Sequence, residues 1–422
     1  MVQIANKQQF LEKALTWANQ FEISAIFDSN NSSDKYSKYD YIIAADYIDF
    51  METDFHEAFN KLEQFRLKYP EWIIGGLGYD LKNDIEQLQS NNPDYLEFPD
   101  CFFFVPKHLL LIKNDILEVR SSSPSIYQEI LDTSYSDPFT EQENTMIKQR
   151  FSKEEYIQQV KNIQGHIGAG NIYETNFCME FYGQSAISPI QTFRRLNASS
   201  NAPFTNYFRW FDKYIMCASP ERFLAKRANK LISQPIKGTA KRGRNEEEDI
   251  LLKEVLYNHP KERQENVMIV DLVRNDLTKS AKPGTVKVED LFGIYSFKQV
   301  HQMISTVVCE ADAQISVIQI LKNTFPMGSM TGAPKIKAME LMEYYERSKR
   351  GIYSGAIGYI NSDDDFDFNV VIRSILYNAA NGYFSFHAGS AITYSADAEK
   401  EYAECLLKIN ALVQALNGKL EG

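Results

Sequence analysis

Residues 233–277 read SQPIKGTAKRGRNEEEDILLKEVLYNHPKERQENVMIVDLVRNDL. A short strand closes at Lys237–Gly238, a helix is predicted over roughly 246–257, and a second begins at Pro260, because proline is tolerated at a first helical position. Upstream, SKEEYIQQVKNIQGHIGAG predicts a helix in which Ser152, three residues before Glu155, forms a capping box. GNIYETNFCMEF (170–181) then alternates as a strand, with Tyr173, Thr175, Phe177, Met179 and Phe181 on one face and Glu174, Asn176 and Cys178 on the other. Downstream, a glycine-containing loop opens a helix at Pro334, and a last helix spans about 396–417. Strands grouped among helices, without a regular βαβ alternation or an internal repeat, predict an α+β fold rather than a doubly wound sheet.

Further out, residues 1–120 combine a helical start with the strand-like runs EISAIFDS, WIIGGLGYD and CFFFVPKHLLLIK. The segment 121–146 is rich in Ser, Thr, Asp and Pro, has no clear period, and is expected to be a linker. The expected organisation is a short N-terminal segment (1–120), this linker, and a larger domain over 147–422. The chain has 422 residues, 44% of them apolar, enough for a sizeable core. Its net charge is −11, with no Lys/Arg-dense stripe to neutralise phosphates, which argues against nucleic acid as a partner. Five cysteines lie far apart, with neither a Cys-x-x-Cys pair nor a secreted-type framework. With no signal pattern and no membrane-length apolar run, a soluble cytoplasmic protein is expected.

The helix from Pro260 places Glu262 and Glu265 three residues apart on one face. On the last helix Glu401, Glu404 and Lys408 fall within about 60° of one another on an ideal wheel. Beside them Tyr402, Leu406, Ile409, Val413 and Leu416 form the apolar stripe that docks this helix. Acidic pairs on helices are usually solvated surface. Carboxylates converging from two helices would instead suit a hard divalent cation such as magnesium. Lys237, next to Gly238 at a strand end, is either an ordinary surface lysine or a nucleophile, which requires that desolvation or a nearby cation lower its pKa. Glu221, after Pro220, is a loop charge or a general acid. The loop FPMGSMTGAPKIKAMEL lacks Walker and dinucleotide spacing, and its glycines serve packing or touch substrate.

Taken in order, ASPERF, PIKGT, KERQENVMIVDLVRNDL, FPMGSMTGAPKIKAMEL, GIYSGAIGYI, VIRSI and HAGSAITYSADAEKEYAE resemble the chorismate-utilising family, over about residues 150–410. That family includes anthranilate, aminodeoxychorismate, isochorismate and salicylate synthases. The resemblance implies two packed antiparallel sheets flanked by helices, with the site in the cleft. It implies a magnesium site at Glu262, Glu265, Glu401 and Glu404, with Glu265 and Glu404 as direct ligands. For chorismate it implies Arg373 and Tyr353 at a carboxylate, together with Gly238, Thr239, Gly389 and Lys408. His301 takes the place of the family's active-site histidine, Lys237 that of a nucleophile, and Glu221 that of the acid for its leaving group.

Lys237 also discriminates within the family. Anthranilate-forming members usually carry PIAGT, whereas aminodeoxychorismate-forming members carry PIKGT. The resemblance therefore implies amination of chorismate to 4-amino-4-deoxychorismate in p-aminobenzoate and folate synthesis. No glutaminase motif is present, so the nitrogen is expected from a separate glutamine amidotransferase subunit, or from free ammonia at high concentration. Glu174 departs from the pattern, because water-using relatives have lysine there and ammonia-using ones usually glutamine. A carboxylate in that place could deprotonate ammonium, which is favoured, or orient ammonia, or be incidental. The stretches IFDSN and SNAPF depart from the pattern of a tryptophan pocket, and feedback by tryptophan is not expected. The alternatives are an anthranilate synthase component I and a non-catalytic regulatory paralogue.

Overall fold

The apolar run CFFFVPKHLLLIK forms the strand Cys101–Lys113, the seam at which two limbs of sheet are joined. One edge pairs along its whole length with Tyr41–Thr53. The other edge is shared between Ile73–Leu77 and Ile116–Ser121. A strand covered on both faces needs apolar residues at consecutive positions, and this run supplies them. Phe102, Phe103 and Phe104 are all fully buried. The computed structural model describes residues 1–32, 34–135, 144–298 and 300–421.

From Tyr41–Thr53 the first limb continues through Ile23–Asp28, Phe204–Trp210, Lys213–Ser219, Ser374–Asn378 and Tyr383–Ile392 to Glu174–Gln184. From Ile73–Leu77 the second runs through Ala356–Ile360, Phe366–Val370, Arg222–Arg227 and Lys230–Gln234 to Val300–Glu310. Ile236–Lys241 and Lys287–Ser296 flank that last strand. All these pairings are antiparallel. The α+β expectation of two antiparallel sheets with helices outside is thus met, the two sheets being limbs of one hydrogen-bonded network.

One core contains residues of both limbs, among them Phe208, Trp210 and Ile215 from the first and Ile73, Phe368 and Leu224 from the second. Another lies between the first limb and the helices Lys153–Gly168 and Ala398–Ala415, where Phe177, Phe181 and Phe386 meet Tyr156, Val160, Tyr402 and Ile409. Each fully buried side chain of this kind stabilises the fold by about 1.5–3 kcal/mol relative to exposure. The expected stripe of the last helix is here: Tyr402, Ile409 and Leu416 are buried, and Leu406 and Val413 pack partly against them.

Helix ends follow the sequence signals. Ser152 and Glu155 form the capping box. Asn245 caps Glu246–Asn258, and Pro260 opens Pro260–Thr278 directly behind it. Pro334 is the N-cap of Lys335–Tyr345. Within 121–146, Ile126–Asp132 is a helix with Ile126 and Ile130 buried, while residues 136–143 of that segment lie outside the described residues. Strands of the first 120 residues pair directly with later ones, as in Ile73–Leu77 with Ala356–Ile360. All five cysteines are free and buried. Among the described residues no helix is long and apolar enough to cross a membrane.

Candidate active site

Lys237 sits on Ile236–Lys241, where the pairing with Val300–Glu310 slips between Ile236 and Thr239. Gly238 absorbs the irregularity at φ +90°, a conformation costly for any residue with a Cβ. A Cβ there would also lie 3.1 Å from Glu262 Oε2 and 3.2 Å from Leu256. Glycine therefore lets the Lys237 bulge press against the first turn of the helix Pro260–Thr278. Thr239, next in the strand, is exposed.

Glu221 lies in the turn between Lys213–Ser219 and Arg222–Arg227. Its N–H donates to Ser219 Oγ at 3.2 Å and its carbonyl accepts from the Val370 N–H at 3.1 Å, which fixes the turn. Only 5% of the residue is exposed. Burial pushes its carboxyl up to about 7, against the opposing pull of Ser329 and Lys237. An acid with that pKa holds its proton near neutrality and can still give it up.

Glu174 opens the strand Glu174–Gln184 opposite Ala333. It is 3% exposed, and its Oε2 is buried without a hydrogen-bond partner. Burial raises its pKa, the charge of Lys237 opposes that rise, and Glu265 adds to it. The polar face of this strand is buried, since Asn176 and Cys178 are also inside. Lys237 thus acts electrostatically on Glu174, Glu221 and also Glu404, side chains from three separate parts of the sequence.

The two glutamate-bearing helices are bridged by a side chain. Lys261 spans them, its Nζ 3.6 Å from Glu265 Oε1 and 3.2 Å from Glu401 Oε1. Glu262 is pushed up by burial and then by Glu265, and Glu401 by burial. For Glu404 burial again acts upward, but the contact with Lys408 and the charges of Lys261 and Lys237 outweigh it and hold the carboxyl down. Among the described residues no three carboxylate, histidine or cysteine groups form a ready-made metal cage. The donors nonetheless fit a hard cation, since all are carboxylate oxygens, Glu265 Oε1 is buried with no hydrogen-bond partner, and an ammonium already lies between two of them.

Arg373 is half-buried at φ +52° and donates from Nη1 to the Lys408 carbonyl at 3.0 Å. Its loss of water lowers the pKa, against the pull of Tyr353 and Glu404. Lys408 in turn donates to the Gly389 carbonyl at 2.9 Å. A Cβ at Gly389 would come within 2.7 Å of Cys178 Sγ and 3.0 Å of Asn176 Oδ1, so this floor admits only glycine without a shift. Tyr353 is buried and stacks on His387 at 4.6 Å between centroids, with its hydroxyl 3.8 Å from Cys178 Sγ.

His301 is placed differently from its neighbours. It is fully buried, with Nδ1 2.9 Å from Ser296 Oγ and Nε2 3.0 Å from Asp249 Oδ1. Asp249 also accepts from Arg242 at 2.8 and 2.9 Å, so the histidine helps tie the helix Glu246–Asn258 to the sheet. Sequence reasoning passed over Lys261, Asp249 and Ser329. Of these only Lys261 carried a signal, its position four residues before Glu265. IFDSN and SNAPF also meet, where Asn30 Nδ2 donates to the Ala202 carbonyl at 2.7 Å and to Thr205 Oγ1 at 3.0 Å.

The sequence profile of the chorismate binding enzymes matches residues 8–414. The aminodeoxychorismate synthase component 1 of Klebsiella aerogenes is 32% identical over 358 residues, covering 81% of this chain and 76% of that protein. The anthranilate synthase component 1 of Aquifex aeolicus is 29% identical over 366 residues, covering 82% of this chain and 74% of its own. The crystal structure of anthranilate synthase component I from Streptococcus pneumoniae superposes with a TM-score of 0.78 at 22% identity, covering 90% of this chain and 93% of that one. The chain belongs to the chorismate-binding enzyme family.

Proposed function

We propose that the protein is an aminodeoxychorismate synthase component I, aminating chorismate to 4-amino-4-deoxychorismate for p-aminobenzoate and folate synthesis. The observation that carries this proposal is a half-buried Lys237 at the strand bulge whose charge reaches the buried carboxyl of Glu221. Both relatives compared above support chorismate as substrate, and Lys237 in PIKGT favours the aminodeoxychorismate branch over the anthranilate branch.

Neutral Lys237 adds to ring carbon C2 while Glu221 gives its proton to the departing C4 hydroxyl, which leaves as water. Ammonia then bonds to C4, and the C2–N bond breaks with its electron pair returning to the lysine nitrogen. Arg373, fixed by the Lys408 carbonyl, pairs with a substrate carboxylate, and Tyr353 lies beside it. Gly238, Thr239 and Gly389 give the ring close backbone approach. Glu265 and Glu404 would hold magnesium, with Glu262 and Glu401 beside them, and Lys408 orients Glu404. Bound there, magnesium supplies charge neutralisation of the ring carboxylate and polarisation of the conjugated system. The ammonia comes from a separate glutamine amidotransferase subunit. His301 acts through the Glu246 helix.

The test is incubation of the chain with chorismate, magnesium and ammonium salt, with products identified by mass spectrometry for the wild type and Lys237→Ala. Aminodeoxychorismate from the wild type, with a loss of about 10²-fold or more in the variant, is expected. Anthranilate as the wild-type product would move the protein to the other branch. Unconsumed chorismate, even with an added glutaminase, would favour the regulatory paralogue.

A further inference from the structure

We infer that Glu174 is the seat and the base for the incoming nitrogen, binding ammonium through its free carboxylate oxygen and removing one proton. The inference rests on the aminodeoxychorismate assignment and adds to it the handling of the second substrate.

A carboxylate oxygen withdrawn from water and left unbonded is costly, and native structures leave few such atoms without a use. Glu174 Oε2 is one of them, in a residue that is 3% exposed. The strand opposite fills none of its capacity. Gly332–Ala333 and the adjoining turn meet this edge with main chain alone, as the Tyr173 N–H donates to the Ala333 carbonyl at 2.7 Å and the Asn176 N–H to that of Thr331 at 2.8 Å. The charged groups that act on Glu174 are Lys237, from the Ile236 strand, and Glu265, from the Pro260 helix. The free oxygen therefore belongs to the surroundings of the lysine nucleophile.

Two carboxyls now share that lysine and divide the work. Glu221 has the proton to give to the leaving hydroxyl. Glu174 has an oxygen to accept with. Near neutral pH dissolved ammonia is mostly ammonium, which cannot attack carbon because it has no lone pair. A carboxylate beside further glutamates attracts that cation. Transfer of one proton to Glu174 Oε2 breaks an N–H bond and leaves the electron pair on nitrogen. That pair forms the C4–N bond as the C2–N bond to Lys237 breaks and its pair returns to lysine. Glu174 afterwards gives its proton to solvent as product leaves.

The experiment compares the full chain with Glu174→Gln and Glu174→Asp, using ammonium chloride as the nitrogen source with chorismate and magnesium. The glutamine variant keeps the size but cannot take the proton. It is expected to raise the KM for ammonium at least tenfold while the KM for chorismate changes less than threefold, and intact-protein mass should still show the chorismate-derived adduct on Lys237 before ammonium is added. In the variant the KM should also follow the fraction of free ammonia, rising about tenfold for each unit of falling pH, with the wild type much flatter. The aspartate variant should fall between the two. An ammonium KM unchanged within twofold in Glu174→Gln overturns the inference, as does loss of the adduct in both variants, which would place Glu174 before the nitrogen enters. A wild-type chain that makes no aminodeoxychorismate overturns the functional assignment and this inference together, whatever the variants do.

Discussion

The ammonium of Lys261 lies 3.2 Å from the carboxylate of Glu401, so a lysine of one helix is the cation that joins it to the acidic face of another. The same Nζ is 3.6 Å from Glu265. Lys261 is therefore a monovalent stand-in for part of the charge that a divalent ion would bring, and the two should compete. Lys261→Met keeps most of the apolar stem and removes the charge. Without magnesium the variant should be less stable by about 1 kcal/mol, since the lysine is half-exposed although Glu401 is buried. Magnesium should bind it more tightly than it binds the wild type, by calorimetry, and raise its melting temperature further. Weaker magnesium binding in the variant would show that Lys261 assists the ion.

Glu221 should impose a pH limit on catalysis. Its folded carboxyl titrates at about 7, above the ordinary carboxylate range, because burial disfavours the charge. The acid form needed for the leaving group is therefore present below that pH and lost above it, so the rate of adduct formation should fall as pH rises through about 7. Glu221→Gln should lose about 10²–10⁴-fold in rate. Stability follows the same sign. A raised folded pKa means that the native state holds the proton more tightly. The contribution is complete below the unfolded value near 4.5 and lost as pH rises through 7. Melting curves of Glu221→Gln should lack that decline, and an identical decline in the variant would assign it to another group.

His301 should matter more for folding than for proton transfer. Both ring nitrogens are engaged, by Ser296 and by Asp249, and the ring is fully buried. His301→Ala leaves a cavity and strips Asp249 of one partner, and about 1–3 kcal/mol of stability should go with it. The Glu246 helix should loosen first, which limited proteolysis after Arg242 or Arg244 would detect. A variant of unchanged stability with a collapsed kcat would instead make the histidine a direct participant.

How much of this was legible in the sequence depended on the range of the interaction. The i, i+3 spacing of Glu262 and Glu265, the capping box at Ser152 and the proline start at Pro260 are local, and the structure reproduces all three. Alternation likewise marks Glu174–Gln184 as a strand, but it does not say that both faces are covered, because the cover comes from residues far along the chain, Tyr402 and Ile409 on one face and Tyr353 on the other. The pairing of Ile73–Leu77 with Ala356–Ile360 had no local signature at all. Nothing local sets Lys261 apart from a solvated helix lysine, because its partner Glu401 stands on another helix, and nothing in one helix's period names the face of a second. His301 was found as a residue but not as a contact, since hydrogen bonds to Asp249 and Ser296 depend on where the Glu246 helix docks.

Arg373 gives the sharpest test of substrate orientation. Its backbone lies at φ +52°, and one guanidinium nitrogen is committed to the Lys408 carbonyl, which aims the rest of the fork. Lysine would bear the same backbone strain and the same charge, so Arg373→Lys isolates the loss of the planar fork. An ammonium cannot hold a carboxylate through two parallel N–H bonds. The chorismate KM should rise about 10- to 100-fold, the equivalent of about 1.5–3 kcal/mol for a charge-assisted bond, with kcat within about threefold of the wild type. That pattern in steady-state kinetics would show binding lost before the chemical step. A fall in kcat at constant KM would instead mean that Arg373 acts on the transition state, stabilising charge that develops as the hydroxyl leaves.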